Sequence, residues 1–259
     1  MKNRVIYYQD ELNDDFANTE KIKGVPTPDN FNYINHSIFY RIVEFVVYNI
    51  IVRPCVFIYI KVKFLQRFEN KKALKKCKQQ GYFVYINHTN GDADAFIPSM
   101  LTFPRKDYII VNSDAISIKG IRTLVMILGA LPVPSTIKAS RNFVDAIHKL
   151  IEKKKAIIIY PEAHIWPYYT DIRNFRHVSF HYPYDLDAPI FTLTNVYKKR
   201  KLIKRPRIVS YVSGPFYVDK SLPKRESIMD LRNQAYNSMK RIVDNNPKYE
   251  YIKYIKRND

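Results

Sequence analysis

Short apolar runs separated by longer amphipathic stretches dominate the chain from about residue 80 onward. The runs are rich in β-branched and aromatic residues and alternate little between apolar and polar positions, which is typical of strands that are buried on both faces. They predict five strands, at residues 82–86, 108–111, 156–160, 190–196 and 208–212.

The stretches between these runs carry apolar residues at helical spacing. They predict helices at residues 121–128, 142–152 and 227–243, with Gly129 closing the first and Pro247 following the last. Strands that alternate with helices favour a parallel arrangement. The pattern therefore predicts one α/β domain, with a largely parallel central sheet flanked by helices.

Residues 42–60 form the most apolar segment, but Glu44, Asn49 and the Arg53-Pro54 pair interrupt it. A membrane-spanning helix needs about 20 predominantly apolar residues, and proline breaks or kinks a helix. We therefore expect two short helices, the second continuing towards Phe64. Two interpretations stay open: the helices lie in a membrane interface, or they are buried in the core. In the first, basic side chains reach the headgroups: Arg41, Arg53, Lys61 and Lys63.

The chain is strongly basic, with 43 Lys and Arg against 24 Asp and Glu and a net charge of +19. Such a charge attracts nucleic acid, an anionic membrane surface, or an acidic substrate such as coenzyme A. Basic runs at residues 71–78 and 198–207 can meet a membrane. The two cysteines have no CxxC spacing, and the start of the chain does not resemble a signal peptide, so we expect a reducing, cytoplasmic setting.

We expect three segments along the chain. Residues 1–35 are polar and locally acidic, residues 36–70 are apolar and membrane-associating, and residues 71–259 form the catalytic domain.

The candidate chemistry lies in residues 85–96, where a predicted strand ends and a polar turn presents His88, followed by Asp92 and Asp94. Proteins with open α/β sheets bind ligands at the carboxyl ends of their strands. A neutral imidazole can accept the proton of an attacking hydroxyl, and a carboxylate can orient the ring. The alternative is a histidine that only caps a turn.

Several motifs resemble blocks of the lysophospholipid acyltransferase family. Asn87-His88 with Asp94-Ala95-Phe96 resembles its NHxxxxD block, and residues 159–163 resemble its Phe-Pro-Glu-Gly-Thr-Arg block. Residues 128–133, 175–180 and 188–191 resemble further blocks in the expected order. The likeness spans about residues 80–215.

The chain departs from this pattern in the spacing of the first block. Four residues separate His and Asp in the family, whereas three precede Asp92 and five precede Asp94 here. We expect Asp94 to be the partner of His88, because Ala95-Phe96 continues the family pattern. Asp92 is expected to cap the following helix and to lie at the substrate site.

The third block lacks the family's Gly and Arg, so phosphate binding must come from other residues. The resemblance implies substrate-binding roles for Asn87, Lys138, Arg141 and Glu162, and Arg173 and Arg176 are the expected phosphate ligands, since guanidinium groups bind phosphate bidentately. Glu162 is expected to order the phosphate pocket. The alternative, a carboxylate paired with a structural Arg or Lys, stays open.

The resemblance implies a bacterial-type acyltransferase of phospholipid biosynthesis, with His88 and Asp94 as catalytic residues. It would move a fatty acyl group from acyl-CoA or acyl carrier protein to the hydroxyl of a lysophospholipid such as 1-acylglycerol-3-phosphate. No cofactor, metal or nucleic-acid partner is expected, and the enzyme would lie on the cytoplasmic face of the cell membrane, peripherally or monotopically. Two alternatives are a nucleic-acid-binding protein and a metal-dependent hydrolase built on His88, Asp92 and Asp94.

Overall fold

The computed structural model describes residues 4–17, 24–117 and 120–257. A seven-stranded sheet has the strand order β2-β8-β7-β3-β6-β4-β5, and β1 and β9 form a separate two-stranded sheet. The strands are β1 (Arg4–Tyr8), β2 (Arg67–Glu69), β3 (Tyr82–Ile86), β4 (Asp107–Val111), β5 (Ala130–Pro132), β6 (Ala156–Ile159), β7 (Ile190–Lys198), β8 (Arg207–Phe216) and β9 (Ile252–Lys256). The α-helices are α1 (Ile38–Phe45), α2 (Arg53–Phe64), α3 (Gly91–Asp94), α4 (Ile97–Thr102), α5 (Arg122–Ile127), α6 (Ile137–Glu152), α7 (His181–Asp185) and α8 (Lys224–Asp244).

The predicted largely parallel α/β sheet is confirmed. Strands β7, β3, β6, β4 and β5 run parallel to one another, whereas β8 is antiparallel to β7 and β2 is parallel to β8. The carboxyl ends of the five parallel strands therefore meet at one edge of the sheet. We call this the carboxyl edge, and the opposite one the amino edge.

Apolar layers cover both faces of the sheet, which explains why the central strands lack polar alternation. On β3, Phe83 and Tyr85 pack into the layer that contains α6 and α8. The intervening residues Tyr82, Val84 and Ile86 pack into the opposite layer, with buried side chains of α2 and α4.

The segment Ile38–Phe64 is one continuous helix of 27 residues, which we call the apolar helix. The predicted break at Pro54 is wrong. A π-helical stretch, Val46–Val52, precedes the proline, and the Arg53 amide bonds to the carbonyl of Tyr48, five residues earlier. Because proline lacks an N–H and its ring crowds the preceding turn, a wider turn at this point lets the helix continue.

The apolar helix has one docked face and one exposed face. Tyr48, Arg53, Val56, Ile60 and Phe64 are buried against the domain. Most of its other large apolar residues are exposed: Ile38, Phe39, Ile42, Phe45, Val46, Ile50, Ile51, Phe57, Ile58, Tyr59 and Val62. The interpretation as a buried core helix is therefore wrong, since only 17% of its most apolar window is buried.

The polar residues that interrupt the segment belong to the docked face. Glu44 pairs with Lys106 across 2.6 Å, and Tyr48 donates a hydrogen bond of 2.5 Å to Asp107. The Arg53 guanidinium also donates to the backbone carbonyl of Pro104. The opposite face is left without charged groups over most of its length.

Strand β1 pairs in parallel with β9, which joins the two ends of the described chain. The segment that follows β1 also contacts the domain, because the Phe16 amide donates a hydrogen bond of 3.1 Å to the carbonyl of Ile165. The hydrophobic pattern did not predict β1, β2, β5 or β9.

Candidate active site

His88 lies in the loop that leaves the carboxyl end of β3, as the sequence predicts. Its Nδ1 atom is 2.9 Å from Oδ2 of Asp94, and its ring stacks on Tyr160 at a centroid distance of 4.3 Å. The side chain is 17% exposed, and among the described residues none is within hydrogen-bonding distance of Nε2. The ring is thus fixed through one nitrogen while the other is open.

Hydrogen bonds also fix the carboxylate of Asp94 in place. Its Oδ2 atom also accepts hydrogen bonds from the amides of Thr89, at 2.9 Å, and Asn90, at 2.8 Å. The carboxylate is buried, and its Oδ1 atom has no partner among the described residues. These contacts close the turn of residues 88–94 around one carboxylate oxygen. The turn therefore accommodates the one residue by which the spacing between His88 and Asp94 exceeds that of the family block.

Asp92 is not the helix cap, which corrects that expectation. Asn90 caps α3, with its side chain accepting a 3.1 Å hydrogen bond from the Ala93 amide. Asp92 falls within the first turn, and its largely exposed side chain pairs with Lys63 at the end of the apolar helix across 2.5 Å. Asp92 therefore faces the apolar helix and not the imidazole.

The loop that follows β6 holds the backbone of His88 from the other side. The His88 amide donates to Oε2 of Glu162 at 2.9 Å, and its carbonyl accepts from the Trp166 amide at 3.1 Å. Tyr160 donates its hydroxyl to the Asp94 carbonyl at 2.5 Å. Two neighbouring parallel strands thus deliver two loops that fix each other.

Glu162 is buried, and its carboxylate bonds to other groups of the protein. Besides the His88 amide, it accepts a 3.0 Å hydrogen bond from the Arg173 amide, and its carboxylate lies 3.4 Å from the Arg173 guanidinium. Burial raises the pKa of Glu162, and the charge of Arg173 opposes that rise. The geometry matches the structural ion pair that the sequence left as an alternative.

Arg173 cannot serve as the predicted phosphate ligand in this arrangement. It is 1% exposed, its guanidinium donates to Glu162 and to the His164 carbonyl, and it lies 4.9 Å from the centre of the Trp166 ring. A buried guanidinium needs internal partners, and here the same loop supplies them. Spacing along the chain did not reveal which way this side chain points.

Asn87 also points into the protein and not towards an open site. Its side-chain amide donates to the Asn195 carbonyl at 3.1 Å and accepts from the Asn195 amide at 2.8 Å. Both groups are buried. Asn87 therefore ties the end of β3 to β7, which corrects the expectation that it binds substrate.

The other predicted cations stand apart from His88. Lys138 and Arg141 lie in the first turns of α6, which follows β5, three strands away from β3. Both side chains are exposed, as is Arg176. In the described parts of the chain, none of the three forms a hydrogen bond or ion pair with the loop of residues 87–94.

Three other cations approach the His88 loop, and sequence reasoning did not assign them to the site. Lys63 ends the apolar helix, and Arg200 donates a 2.5 Å hydrogen bond to its carbonyl. Arg205 and Lys63 lie near Tyr168: burial raises the pKa of this tyrosine, and the positive charges of the two cations oppose that rise. The Tyr168 amide donates to the carbonyl of Thr89 at 2.8 Å. We call Lys63, Arg200 and Arg205 the edge cations.

A signal for two of the edge cations was present in the sequence. The basic run at residues 198–207 directly follows β7, whose carboxyl end lies at the same sheet edge as His88. Lys63 carried no such signal, because only the docking of the apolar helix brings its end to this edge.

Within the described residues, no group of three or more His, Cys, Asp or Glu side chains is arranged to hold a metal ion. The chemistry available at the site is that of an oriented imidazole. Asp94 is positioned to accept a hydrogen bond from a protonated Nδ1, which in the neutral ring leaves the lone pair on Nε2. Such a group can remove a proton from a hydroxyl.

The pattern that defines the acyltransferase family matches residues 60–196. The fold is similar to the crystal structure of the 1-acyl-sn-glycerophosphate (LPA) acyltransferase PlsC from Thermotoga maritima, with a TM-score of 0.55 and 15% identity over 80% of this chain and 86% of that one. A comparison with curated proteins gives no match. The family match covers more than half of the sequence and includes His88, Asp94 and Glu162, and the chain therefore belongs to the acyltransferase family, as its resemblance to lysophospholipid acyltransferases predicts.

Proposed function

We propose that this acyltransferase moves a fatty acyl group from an acyl thioester to the free hydroxyl of a lysophospholipid such as 1-acylglycerol-3-phosphate. The observation that carries the proposal is the 2.9 Å contact between His88 Nδ1 and Asp94, which orients the ring while Nε2 has no hydrogen-bond partner among the described residues. The fold of the Thermotoga LPA acyltransferase supports the same class of acceptor. The donor would be acyl-CoA or acyl carrier protein, and no further cofactor is proposed.

In the proposed reaction, Nε2 of His88 takes the proton from the acceptor hydroxyl as the oxygen attacks the thioester carbon. The carbon–sulfur bond breaks, the sulfur leaves as a thiolate, and the imidazolium returns its proton to that sulfur. Asp94 keeps the ring in the required tautomer and stabilises the imidazolium. Asp94 is therefore the partner in the mechanism, and Asp92 has no part in the proton transfer.

The edge cations are the proposed phosphate site of the acceptor. They replace Arg173, whose guanidinium is bonded inside the protein. Arg205 is exposed, and the Nε atom of Arg200 has no partner among the described residues. A phosphate there would meet charges supplied by two separate elements, the apolar helix and the loop after β7, close to the turn that carries His88.

We also propose that the apolar helix holds the enzyme on the cytoplasmic face of the membrane as a monotopic anchor. The helix is long and apolar enough to cross a membrane by length and composition. It is docked to the domain from Glu44 to Lys63, however. A helix docked along its length can lie in the interface with its exposed face among the acyl chains, and its last turn then presents the active site to lipid substrates.

A transfer assay tests the proposed activity. Purified protein is given labelled acyl-CoA or acyl carrier protein with lysophosphatidic acid, lysophosphatidylcholine or glycerol 3-phosphate. We expect transfer to lysophosphatidic acid, and we expect His88→Ala to lower kcat by about 10²–10⁴-fold, the usual contribution of a general base.

The matched control is His148→Ala, which removes a partly buried histidine on α6, away from the site. It should retain activity. Wild-type rates in the His88→Ala variant, or no transfer by the wild type to any lysolipid, would overturn the proposal. Thermal unfolding of both variants shows whether a loss of activity reflects a loss of folding.

A further inference from the structure

A large cavity opens at the amino edge of the sheet, on the opposite side from His88. It has a volume of about 1120 Å³, and seven Lys and Arg residues but only two Glu line it. The cations come from four parts of the chain: Arg41 from α1, Arg105 and Lys106 from the segment before β4, Arg122 from α5, and Lys153, Lys154 and Lys155 from the segment before β6. We call this the basic cavity.

Most of the positive charge in the basic cavity has no anionic partner. Lys106 pairs with Glu44 across 2.6 Å, and Arg105 donates to the backbone carbonyls of Lys78 and Gln80. Among the described residues, Arg41 and Lys155 form no ion pair. Uncompensated cations in a concave site raise the local positive potential and attract anions.

Lys155 is half-buried and lies within reach of several other charges. Burial lowers its pKa, Glu44 opposes that effect, and Arg105 and Arg41 lower it further. An added anion would relieve both the burial cost and this repulsion. The cavity is therefore poised to accept a negatively charged group.

The position of the basic cavity identifies the source of the anion. Tyr40, Arg41 and Phe45 of α1 form one wall, and Ile38, Phe39 and Ile42 of the same helix are exposed. A ligand with an anionic head and apolar chains could place its head in the cavity and its chains along the helix. Neither free phosphate nor another soluble anion would use that apolar surface.

The basic cavity is distinct from the proposed catalytic site. It borders the amino ends of β4 and β6, whereas His88 and Tyr160 follow the carboxyl ends of β3 and β6. Strands of four or five residues separate the two edges by about 13–17 Å. An anion in the cavity is thus too far from His88 to be the group that reacts.

We propose that the basic cavity binds the phosphate headgroup of an anionic phospholipid of the membrane, at a site separate from the catalytic one. Together with the edge cations, which include Lys63, the basic cavity would place a lipid contact near each end of the apolar helix. The helix would then lie flat, since both of its ends are held at the membrane surface. This inference depends on membrane contact but not on the chemistry of His88.

Vesicle binding with two charge-matched variants tests the proposal. Arg41→Gln with Lys155→Gln removes two cavity cations, and Arg225→Gln with Arg241→Gln removes two exposed cations on α8 that form no ion pair in the described structure. Phosphatidylcholine vesicles are compared with vesicles that also contain phosphatidylglycerol. Phosphatidylglycerol is used because it is neither the proposed acceptor nor the proposed product.

We expect the cavity variant to bind phosphatidylglycerol vesicles about 25-fold more weakly than the wild type, from about fivefold for each of two basic residues at a membrane surface. The α8 variant should change far less, and binding to pure phosphatidylcholine should be equal in all three proteins. Equal losses in the two variants would mean that only total charge matters, and would overturn the proposal.

A second measurement uses the unmodified chain and so does not depend on the folding of a variant. Lys155 is labelled with an amine-reactive reagent and quantified by mass spectrometry. Phosphatidylglycerol vesicles should protect Lys155, whereas phosphatidylcholine vesicles, inorganic phosphate and coenzyme A should not. Protection by phosphate or coenzyme A alone would identify a site for a soluble anion, and protection by phosphatidylcholine would show general shielding; either result overturns the proposal.

Discussion

The two edges of the central sheet handle charge in opposite ways. At the carboxyl edge, Asp94 and Glu162 are buried, and each accepts several hydrogen bonds that fix the loop around His88. At the amino edge, Arg41 and Lys155 face a cavity with no ion-pair partner among the described residues. The carboxylates that fix the His88 loop are internally satisfied, whereas the two cavity cations proposed to bind a headgroup form no ion pair within the described structure.

The difference follows from what each edge must do. A general base works only if its tautomer and direction are set before the substrate arrives, and buried carboxylates achieve this because their hydrogen bonds are strong and directional. A headgroup site needs positive potential, which internal carboxylates would cancel. Internal pairing is therefore suited to the carboxylates that position His88, and its absence is suited to the cavity cations Arg41 and Lys155.

Replacing Asp94 with Asn should produce the largest effect at the carboxyl edge. The neutral amide cannot stabilise the imidazolium and can favour the wrong tautomer of His88, so we expect kcat to fall by about 10²–10⁴-fold with little change in KM. Steady-state kinetics with a saturating donor measures this effect. Asp92→Asn is the control, because it removes an exposed carboxylate that pairs only with Lys63, and an equal loss there would contradict the assignment of Asp94.

Glu162→Gln tests whether the buried ion pair between Glu162 and Arg173 stabilises the fold. It leaves the Arg173 guanidinium buried without a counter-charge, which costs about 3–5 kcal/mol when one partner of a buried pair is removed. Thermal or denaturant unfolding should show this loss directly. Glu152→Gln is the control, since that glutamate is exposed at the end of α6. A stable Glu162→Gln protein would show that the carboxylate serves substrate binding instead.

Substitutions on the exposed face of the apolar helix should have the next largest effect. This face is proposed to hold both edges of the sheet close to the membrane. Replacing Phe39 and Ile58 with Asn removes two exposed apolar groups that contact the acyl chains in the proposed orientation. At about 1.5–3 kcal/mol for each buried apolar side chain, binding to phosphatidylcholine vesicles should weaken by at least about 100-fold. Met229→Asn, on α8, should not weaken it. Unchanged flotation of the Phe39 and Ile58 variant would rule out the helix as the anchor.

Arg205→Gln should have the smallest effect and separates binding from chemistry. Losing one exposed cation of the phosphate site should raise KM for lysophosphatidic acid about tenfold, with kcat unchanged, because the contact is the same in the ground and transition states. KM for lysophosphatidylcholine provides a comparison. The control is Arg176→Gln, the residue that the sequence favoured, and a larger effect there would restore the original assignment.

The parts of the site that lie on one segment were predictable from the sequence. His88 and Asp94 belong to a single turn, and a histidine at the end of an apolar run already indicated a strand tip at a ligand-binding edge. The directions of the Asn87 and Arg173 side chains and the cap at Asn90 were not predictable, because a polar side chain in a loop can turn inward or outward without a change in the sequence pattern. The interior partners Asn195 and His164 decide the direction, and neither is visible as a pattern.

The apolar helix was also predictable only in part. Its composition indicated a membrane contact, but the proline and polar residues predicted a break. The π-helical stretch before Pro54 and the docking of Glu44 and Arg53 on the domain removed that conflict. Such a solution depends on neighbours that are distant in sequence.

By itself the sequence determined the alternation of buried strands and amphipathic helices, the turn that carries His88, and the excess of positive charge. Each of these depends on local spacing and on composition, which a linear pattern records. Only the tertiary structure decided which cations are paired, which approach His88, and which line the basic cavity. Those outcomes depend on strand order and helix docking, which bring together residues as far apart as Arg41 and Lys155 or Lys63 and Arg200.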